Sequence, residues 1–317
     1  MGFGWTTAAA ASLIRGNSWR INRMAAGFHR SRHSRRRTRD LRTPALACLL
    51  AAPLLLGGSD KPASQFGGVS GETLDLHGYR LAFEDRFSEL SIGDQPGSGK
   101  RWFNHTPWWG DFGDAAFASP GPGGPFTGGS GGLTITARRD AAGKWSSGLI
   151  SSRDRDGPQG QGFAQKYGYF EMSAKLPSGM GTWPAFWLIG VDKSKSAAEI
   201  DVVEYYGGFP ASYNCVAHIW QDGKDVLSRQ FIIKVPEGSL SDRFNTYGVL
   251  ITEQTTSFYL NRHKVAEMDT PPEYRQPFYM LANLALGSGW PIKDLPPQVS
   301  MQIAYIRAYR PPASEPS

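Results

Sequence analysis

The sequence is poor in cysteine and in long apolar runs, and helix-forming residues do not dominate it. It holds two cysteines in 317 residues, Cys48 and Cys215, which excludes a small disulfide scaffold and a zinc site with four cysteine ligands. No apolar run reaches the roughly eighteen residues of a transmembrane helix, so no stable membrane insertion is predicted. Gly, Trp, Tyr, Phe and Thr are plentiful, which favours strands joined by tight turns over a helical bundle.

The net charge of +6 comes from the N-terminal end. Residues 1–59 contain ten arginines, no lysine and one acid, Asp40, so this segment carries +9 and the remainder carries −3. A mildly acidic remainder offers no basic surface to phosphates, which excludes nucleic acid as a partner. The arginines precede an apolar stretch at 44–56 and then small residues, the pattern of a secretory signal. The sequence predicts secretion, extracellular or periplasmic; a membrane anchor and a disordered basic arm are the alternatives.

After this leader at 1–59, we expect a polar linker at 60–76, one domain at 77–311 and a tail at 312–317. Residues 167–176 alternate plainly: Phe170 and Met172 face one way, and Tyr169 and Glu171 face the other. Similar short runs recur at 133–137, 144–152, 185–189, 198–205, 215–220, 229–234, 246–251, 257–260, 278–286 and 302–309. Many short strands without crossover helices predict an all-β fold, an antiparallel β-sandwich or jelly roll.

Three acids share one of these predicted strands. Glu199 and Asp201 are two residues apart, so their side chains point to the same face of the strand. Glu204 is five residues from Glu199, and regular alternation would turn its side chain to the opposite face. A β-bulge near Val202 and Val203 inserts one extra residue and brings Glu204 back. The sequence therefore predicts three carboxylates on one face.

Such a cluster suits the cleavage of a glycosidic bond. Close like charges push pKa values apart, so one carboxylate stays ionised while another keeps its proton near neutral pH. Glycosidases need such a pair, a nucleophile and a proton donor. Solvated surface acids and a calcium site are the two alternatives. The neighbouring aromatic residues favour sugar chemistry, because aromatic faces stack on sugar rings; they are Trp183, Phe186, Trp187 and Trp220.

Short segments spread over residues 80–310 carry a family resemblance. In chain order they are LAFEDRF (81–87), YGYFE (167–171), KLP (175–177), GTWPAFWL (181–188), EIDVVE (199–204), FNTYG (244–248), SFYLN (257–261), PFYMLANLA (277–285) and YIRAY (305–309). With this ordered set the sequence resembles glycoside hydrolase family 16, the retaining endo-β-glycanases that include laminarinases, lichenases, agarases and carrageenases. EIDVVE matches the family signature in its bulged form, the form of laminarinases and agarases.

The resemblance implies a concanavalin-like jelly roll whose concave face forms an open substrate cleft. It assigns Glu199 as the nucleophile, Glu204 as the acid/base and Asp201 as the assisting carboxylate between them. It also implies a set of sugar-binding residues, namely Trp183, Trp187, His218 near the acid/base and, from the surrounding loops, Asn104, Trp108, Trp109 and Trp290.

A structural calcium is common in the family, held in part by an Asp before the Tyr of the last strand. Ala304 occupies that position, in front of Tyr305, so neither a metal site nor a cofactor is predicted. The leading hypothesis is a secreted, monomeric, retaining endo-β-glycosidase that hydrolyses a β-1,3-glucan or a mixed-linkage β-1,3-1,4-glucan. The alternatives are a depolymerase or transglycosylase of a bacterial exopolysaccharide or galactan, and a non-catalytic carbohydrate-binding jelly roll.

Overall fold

The structure is a computed structural model, and it describes residues 65–67, 71–94, 97–108, 110–154 and 161–312. The predicted leader with Cys48, residue Trp109 and the tail after 312 lie outside the described residues. Regular structure in the described part is almost entirely β. Its helices are too short to cross a bilayer.

The described residues form nineteen strands, one helical turn and one 3-10 turn. In chain order these are β1 (Gln65–Gly67), β2 (Arg80–Asp85), β3 (Ile92–Gly93), β4 (Trp102–Phe103), β5 (Ala115–Phe117), β6 (Phe126–Thr127), β7 (Leu133–Arg139), β8 (Trp145–Ser147), β9 (Leu149–Ser151), β10 (Gly168–Lys175), β11 (Thr182–Gly190), β12 (Ala197–Glu204), β13 (Ser212–Gln221), β14 (Lys224–Lys234), α1 (Ser239–Asp242), β15 (Asn245–Ile251), β16 (Thr255–Leu260), β17 (His263–Asp269), the 3-10 turn Pro272–Tyr274, β18 (Phe278–Leu286) and β19 (Gln298–Arg310).

The strands build two sheets. The front sheet has the order β1-β14-β13-β12-β11-β18-β9-β4-β3. The back sheet has the order β17-β16-β15-β10-β19-β7-β8-β5, with β2 also paired to β19 and β6 to β7. Pairing is antiparallel except at β1/β14, β3/β4 and β5/β8. Apolar side chains from both sheets form one large core. The predicted antiparallel β-sandwich is confirmed.

Strand β10 shows why both faces of a sandwich strand can be buried. Phe170 and Met172 point into the core, as the alternation predicts. Tyr169 and Glu171, on the other face, are also fully buried. Tyr259 and Tyr309 pack against Tyr169 at ring-centroid distances of 5.8 and 6.1 Å, while an arginine covers Glu171. The outward face is therefore polar but not solvated.

Three features differ from the expected layout. The predicted strand at 144–152 is two strands, because the chain leaves the back sheet after β8 and enters the front sheet as β9, with Gly148 alone between them. A Cβ at Gly148 would lie 2.6 Å from a ring carbon of Phe126, so the crossing requires glycine. Strands β3, β4, β5, β6 and β17 were not predicted. Within the predicted linker at 60–76, β1 pairs with β14.

Candidate active site

Strand β12 carries the three acids, and its register shows the bulge directly. Against β11, Val203 lies opposite Phe186 and Asp201 lies opposite Trp187, so Val202 is the extra residue. Pairing with β13 shifts over the same segment. Val202 and Val203 are both buried in the core, as two adjacent residues of a bulge can be. The predicted bulge is confirmed, and it is the reason Glu204 faces the same way as Asp201.

Glu199, Asp201 and Glu204 line one cleft of about 890 Å³ on the front sheet. The cleft is rich in aromatic side chains, namely Trp108, Phe112, Trp183, Trp187, Tyr206 and Trp220. Lys193 and Asp222, from the turns that follow β11 and β13, also line it. Large, rigid, flat side chains around carboxylates suit a ligand with alternating apolar faces and hydroxyl edges, which is the chemistry of a sugar chain.

Glu204 is held by two donors that bind the same oxygen. The Trp183 indole Nε1 donates to Oε1 at 2.9 Å, and the Tyr206 hydroxyl donates to Oε1 at 2.7 Å. The two rings stack with an interplanar angle of 13°, so each ring helps to hold the other in place beside Glu204. No described residue donates a hydrogen bond to Oε2 of Glu204. Burial, followed by the charge of Glu204, raises the pKa of Tyr206, which keeps the hydroxyl a donor.

Glu199 lies on the far side of Asp201 from Glu204 along the strand, with different neighbours. The Trp220 indole donates to its Oε2 at 2.6 Å, and the Tyr274 hydroxyl donates to its backbone carbonyl at 2.7 Å. Burial raises the pKa of Glu199, whereas the charge of His218 and the indole hydrogen bond oppose that rise. The site therefore supplies a cation and a donor to the anionic form of Glu199.

Asp201 lies beside a histidine that is itself held by a second acid. His218 Nε2 is 3.5 Å from Asp201 Oδ2, and His218 Nδ1 is 2.8 Å from Asp225 Oδ2. Burial and then the charge of Glu199 raise the pKa of Asp201 well above its usual value. Burial alone would lower the pKa of His218, but the hydrogen bond to Asp225 and the nearby carboxylates outweigh it and raise that pKa to about 9. At neutral pH the imidazole is therefore cationic.

Of the other predicted site residues, four line the cleft, two do not and one lies outside the described residues. Trp108, Trp183, Trp187 and His218 line the cleft. Trp187 is only 3% exposed and donates to Asn283 Oδ1 at 2.8 Å, so it is a buried part of the cleft wall. Its ring lies 6.0 Å from that of Trp108. The His218 imidazole contacts Asp201, Asp225 and the Trp220 ring, whereas the expectation was a position near Glu204.

Two further predicted residues are not among those that line the cleft. Asn104 donates its amide to the Ala118 carbonyl at 2.9 Å, which supports a loop. Trp290 is 41% exposed and packs edge-on against Phe209 at 4.9 Å. Trp109 lies outside the described residues.

Sequence reasoning missed Phe112, Tyr206 and Asp225. Tyr206 is two residues beyond Glu204, so continued alternation could have placed it on the same face. Asp225 lies opposite Trp220 in the β13–β14 hairpin, a register that a turn prediction at 222–223 would have suggested. Phe112 packs against Trp183 at 5.4 Å, but it comes from a distant loop and no local pattern indicates this contact.

No cluster of three or more His, Cys, Asp and Glu side chains suited to a metal ion occurs in the part of the chain that the structure describes. The donors around the acids are indoles, a phenol and an imidazole that already holds two carboxylates. These groups suit hydrogen bonding to oxygen rather than coordination of a hard cation.

The chain is similar in sequence to known glycosyl hydrolases. The family model described as glycosyl hydrolases family 16 matches residues 128–307. The endo-1,3-1,4-beta-glycanase ExsH of Rhizobium meliloti (strain 1021) is 32% identical over 291 residues, which is 81% of this chain and 59% of that protein. The endo-1,3-1,4-beta-glycanase EglC of the same organism is 38% identical over 149 residues, 46% of this chain and 31% of that protein. The chain thus spans about three fifths or less of these relatives' lengths.

Solved structures show the same fold. SCLam, a non-specific endo-beta-1,3(4)-glucanase from family GH16, has a TM-score of 0.62 at 21% identity over 79% of this chain and 98% of that chain. At this identity the likeness concerns the fold, and it confirms the jelly-roll prediction. The family model covers the acidic strand β12, the paired strands β11, β13 and β18, and more than half of the chain, so the chain belongs to the glycosyl hydrolases of family 16.

Proposed function

We propose that this chain is a retaining endo-β-glucanase that hydrolyses β-1,3-glucan or mixed-linkage β-1,3-1,4-glucan. The observation that carries the proposal is the bulged strand β12, which brings Glu199, Asp201 and Glu204 into one aromatic cleft. The linkage is supported by the two Rhizobium relatives, whose names specify 1,3-1,4-β-glycanase activity. We also propose secretion, on the arginine-rich and apolar pattern of residues 15–56.

Glu199 is the nucleophile in this proposal. The cationic His218 and the Trp220 N–H favour the ionised form of Glu199. Burial and the charge of Glu199 raise the pKa of Asp201, so Asp201 holds its proton to higher pH than a free aspartate does. The carboxylate attacks the anomeric carbon and forms a glycosyl-enzyme.

Glu204 is the acid/base. Trp183 and Tyr206 both bind Oε1, which fixes the carboxyl plane and leaves Oε2 to carry the transferred proton. That oxygen protonates the departing glycosidic oxygen as the bond to the anomeric carbon breaks. It then accepts a proton from the water that attacks the glycosyl-enzyme, and the sugar is released with its original anomeric configuration.

The first test removes each acid. Glu199→Gln should lower kcat on β-glucan about a thousandfold or more, because no nucleophile remains. Glu204→Gln should lower kcat by about 10²–10⁴-fold, the usual contribution of a general acid. The measurement is release of reducing ends, with Glu237→Gln, an exposed glutamate away from the cleft, as the matched control.

The second test reads the products. Proton NMR of the first product anomer should show the β configuration; an α product would contradict the retaining mechanism. A panel of β-1,3-glucan, mixed-linkage glucan, galactan and bacterial exopolysaccharide should show cleavage of the glucans into internal fragments. Turnover confined to galactan or exopolysaccharide would overturn the glucan assignment, and tight binding without turnover would overturn the enzymatic one.

A further inference from the structure

The turn between β17 and β18 places one tyrosine hydroxyl against the backbone of the candidate active site. Tyr274 is fully buried among the core side chains, and its ring packs edge-on against Phe278 at 5.5 Å. Its hydroxyl donates to the Glu199 carbonyl at 2.7 Å and lies 3.2 Å from the His218 carbonyl. A hydroxyl carries one proton, so the short bond to Glu199 is the main one and the His218 carbonyl is a second, weaker acceptor.

The two carbonyls belong to residues whose side chains meet in the cleft. Glu199 and His218 lie directly opposite each other in the β12–β13 register, so both side chains point to the same face of the sheet. Trp220 connects them, because its indole donates to Glu199 Oε2 at 2.6 Å and stacks on the His218 ring at a centroid distance of 5.2 Å. The Tyr274 hydroxyl therefore holds the backbones of this pair from the core side of the sheet.

The turn that carries Tyr274 is itself fixed. Pro271 and Pro272 restrict its backbone, and the Tyr274 N–H donates to the Pro271 carbonyl at 2.9 Å. Gln276 Oε1 accepts from the Asp192 N–H at 2.6 Å, which ties this turn to the one between β11 and β12. The hydroxyl is therefore pre-organised to hold the carbonyls beside it.

The Tyr274 hydroxyl keeps its proton at neutral pH. Burial, and then the charges of Asp201 and Glu199, raise the pKa of Tyr274 well above its usual value. The phenol therefore acts as a donor and adds no negative charge beside the carboxylates of the cleft. Its contribution is the placement of two strands of backbone, not the transfer of a proton.

We propose that Tyr274 is a positioning residue for the nucleophile: its hydroxyl fixes the backbones of Glu199 and His218, and thereby the place of the Glu199 carboxylate in the cleft. This inference rests on the proposed function, in which Glu199 attacks the anomeric carbon. A nucleophile must lie about 3–3.5 Å from the atom it attacks, and a displacement of about 1 Å can lower the rate a hundredfold. Tyr274 is not among the residues that line the cleft, so it acts only through this pair.

Removal of the hydroxyl alone is the test. Tyr274→Phe keeps the packed ring and takes this donor away from the Glu199 carbonyl. We expect kcat on β-glucan to fall about fivefold or more, with KM within about twofold of the parent, because the attack is impaired and sugar binding is not. Tyr205→Phe is the matched control, since Tyr205 is also fully buried and its hydroxyl has no hydrogen-bond partner among the described residues. It should keep the kcat of the parent.

The pH profile separates positioning from a loss of stability. The charges of His218, Glu204 and Asp225 act on the pKa of Glu199, and the charge of Glu199 acts on that of Asp201. When the Glu199–His218 arrangement loosens, the cation favours the ionised nucleophile less. The acidic limb of kcat/KM should therefore move to higher pH by about 0.3 or more in Tyr274→Phe, and it should stay in place in Tyr205→Phe.

The outcomes separate the two proposals. A parent chain that cleaves no β-glucan would end the proposed function. An active parent whose Tyr274→Phe variant matches Tyr205→Phe in kcat and in the acidic limb would end the positioning proposal alone. A Tyr274→Phe variant that only unfolds at a lower temperature, or that does not fold, would do the same, because it would assign the hydroxyl to stability. Thermal unfolding of the three proteins is measured beside the kinetics.

Discussion

Each acid of the cleft has its own set of neighbours, and these neighbours distribute the protons. Glu204 has two neutral donors on one oxygen, and Glu199 has an indole donor and a cation nearby. Asp201 is buried between two carboxylates, which raises its pKa furthest above the usual value for its residue type. Asp201 therefore keeps its proton to higher pH than a free aspartate, and because the carboxylates interact, their protons come off in steps that belong to the group as a whole.

The His218–Asp225 pair predicts a pH dependence of stability. The pKa of His218 is raised from 6.5 to about 9 in the folded chain, so the stabilisation from its charged form is complete below pH 6.5 and is lost as pH rises through 9. Asp225→Asn should bring the pKa of His218 in the folded chain back toward 6.5. Between pH 6 and 9.5, we expect the free energy of unfolding to fall by about 1–2 kcal/mol more in the parent than in the variant.

Urea unfolding at the two pH values measures this difference. Asp269→Asn, an exposed acid on β17, is the control and should follow the parent. Parallel pH curves for Asp225→Asn and the parent would show that Asp225 does not hold the charge of His218.

The bulge in β12 determines which face of the strand carries Glu204, so adding or removing one residue there should move that side chain to a predictable face. Inserting one alanine after Val203 should turn Glu204 toward the core, which buries an unpaired carboxylate and removes the proposed acid/base from the cleft. Deleting Val202 should restore regular alternation and keep Glu204 on the cleft face. We expect the insertion to lower activity about a thousandfold or more, and the deletion to retain measurable activity with a lower thermal midpoint.

Activity and thermal midpoint are measured together on both variants. A folded deletion variant without activity, beside an active insertion variant, would show that the bulge does not decide which face Glu204 takes. The pair of variants matters because an insertion alone could fail simply by unfolding the sheet.

How far the sequence predicts this site depends on the range of the contacts. The bulge was predictable, because Glu204 is five positions after Glu199 and only an extra residue reconciles that spacing with one face. The β8–β9 crossing was not, because Gly148 looks like an ordinary strand glycine until Phe126 is known to pack on it. Phe112 reaches the cleft from a distant loop, and single-strand patterns carry no information about it. Asp225 lies in the next strand of the hairpin, so predicting its position requires the turn and the register as well as the strand.

The three acids of the cleft lie on the front sheet, and a cluster of ion pairs lies on the back sheet. Glu171 is completely buried, and Arg262 donates to both of its oxygens at 2.8 and 3.1 Å. Arg307 lies 3.9 Å from the same carboxylate. Removing one partner of a buried ion pair leaves an uncompensated charge, whereas replacing both by apolar residues is often neutral.

Stability and activity should therefore respond separately to changes in this cluster. Arg262→Met should lower the free energy of unfolding by about 2 kcal/mol, less than for a fully buried pair because Arg262 is partly exposed and Arg307 still lies near the carboxylate. Arg262→Met/Glu171→Met should recover most of that loss. In both variants kcat/KM at 25 °C should stay within twofold of the parent, since the cluster lies on the sheet opposite the cleft. Urea unfolding and the reducing-end assay measure the two quantities; a double variant no more stable than the single one would contradict the pairing argument.

The single-residue crossing at Gly148 has a mechanical consequence. The chain passes from one layer of the sandwich to the other across this one glycine, and the Gly148 carbonyl is bonded to Leu284 N–H of β18 at 3.1 Å. Sliding or parting of the layers would have to stretch that link. The cleft on the front sheet therefore keeps its shape relative to the back sheet, and a ligand enters it without any hinge having to open.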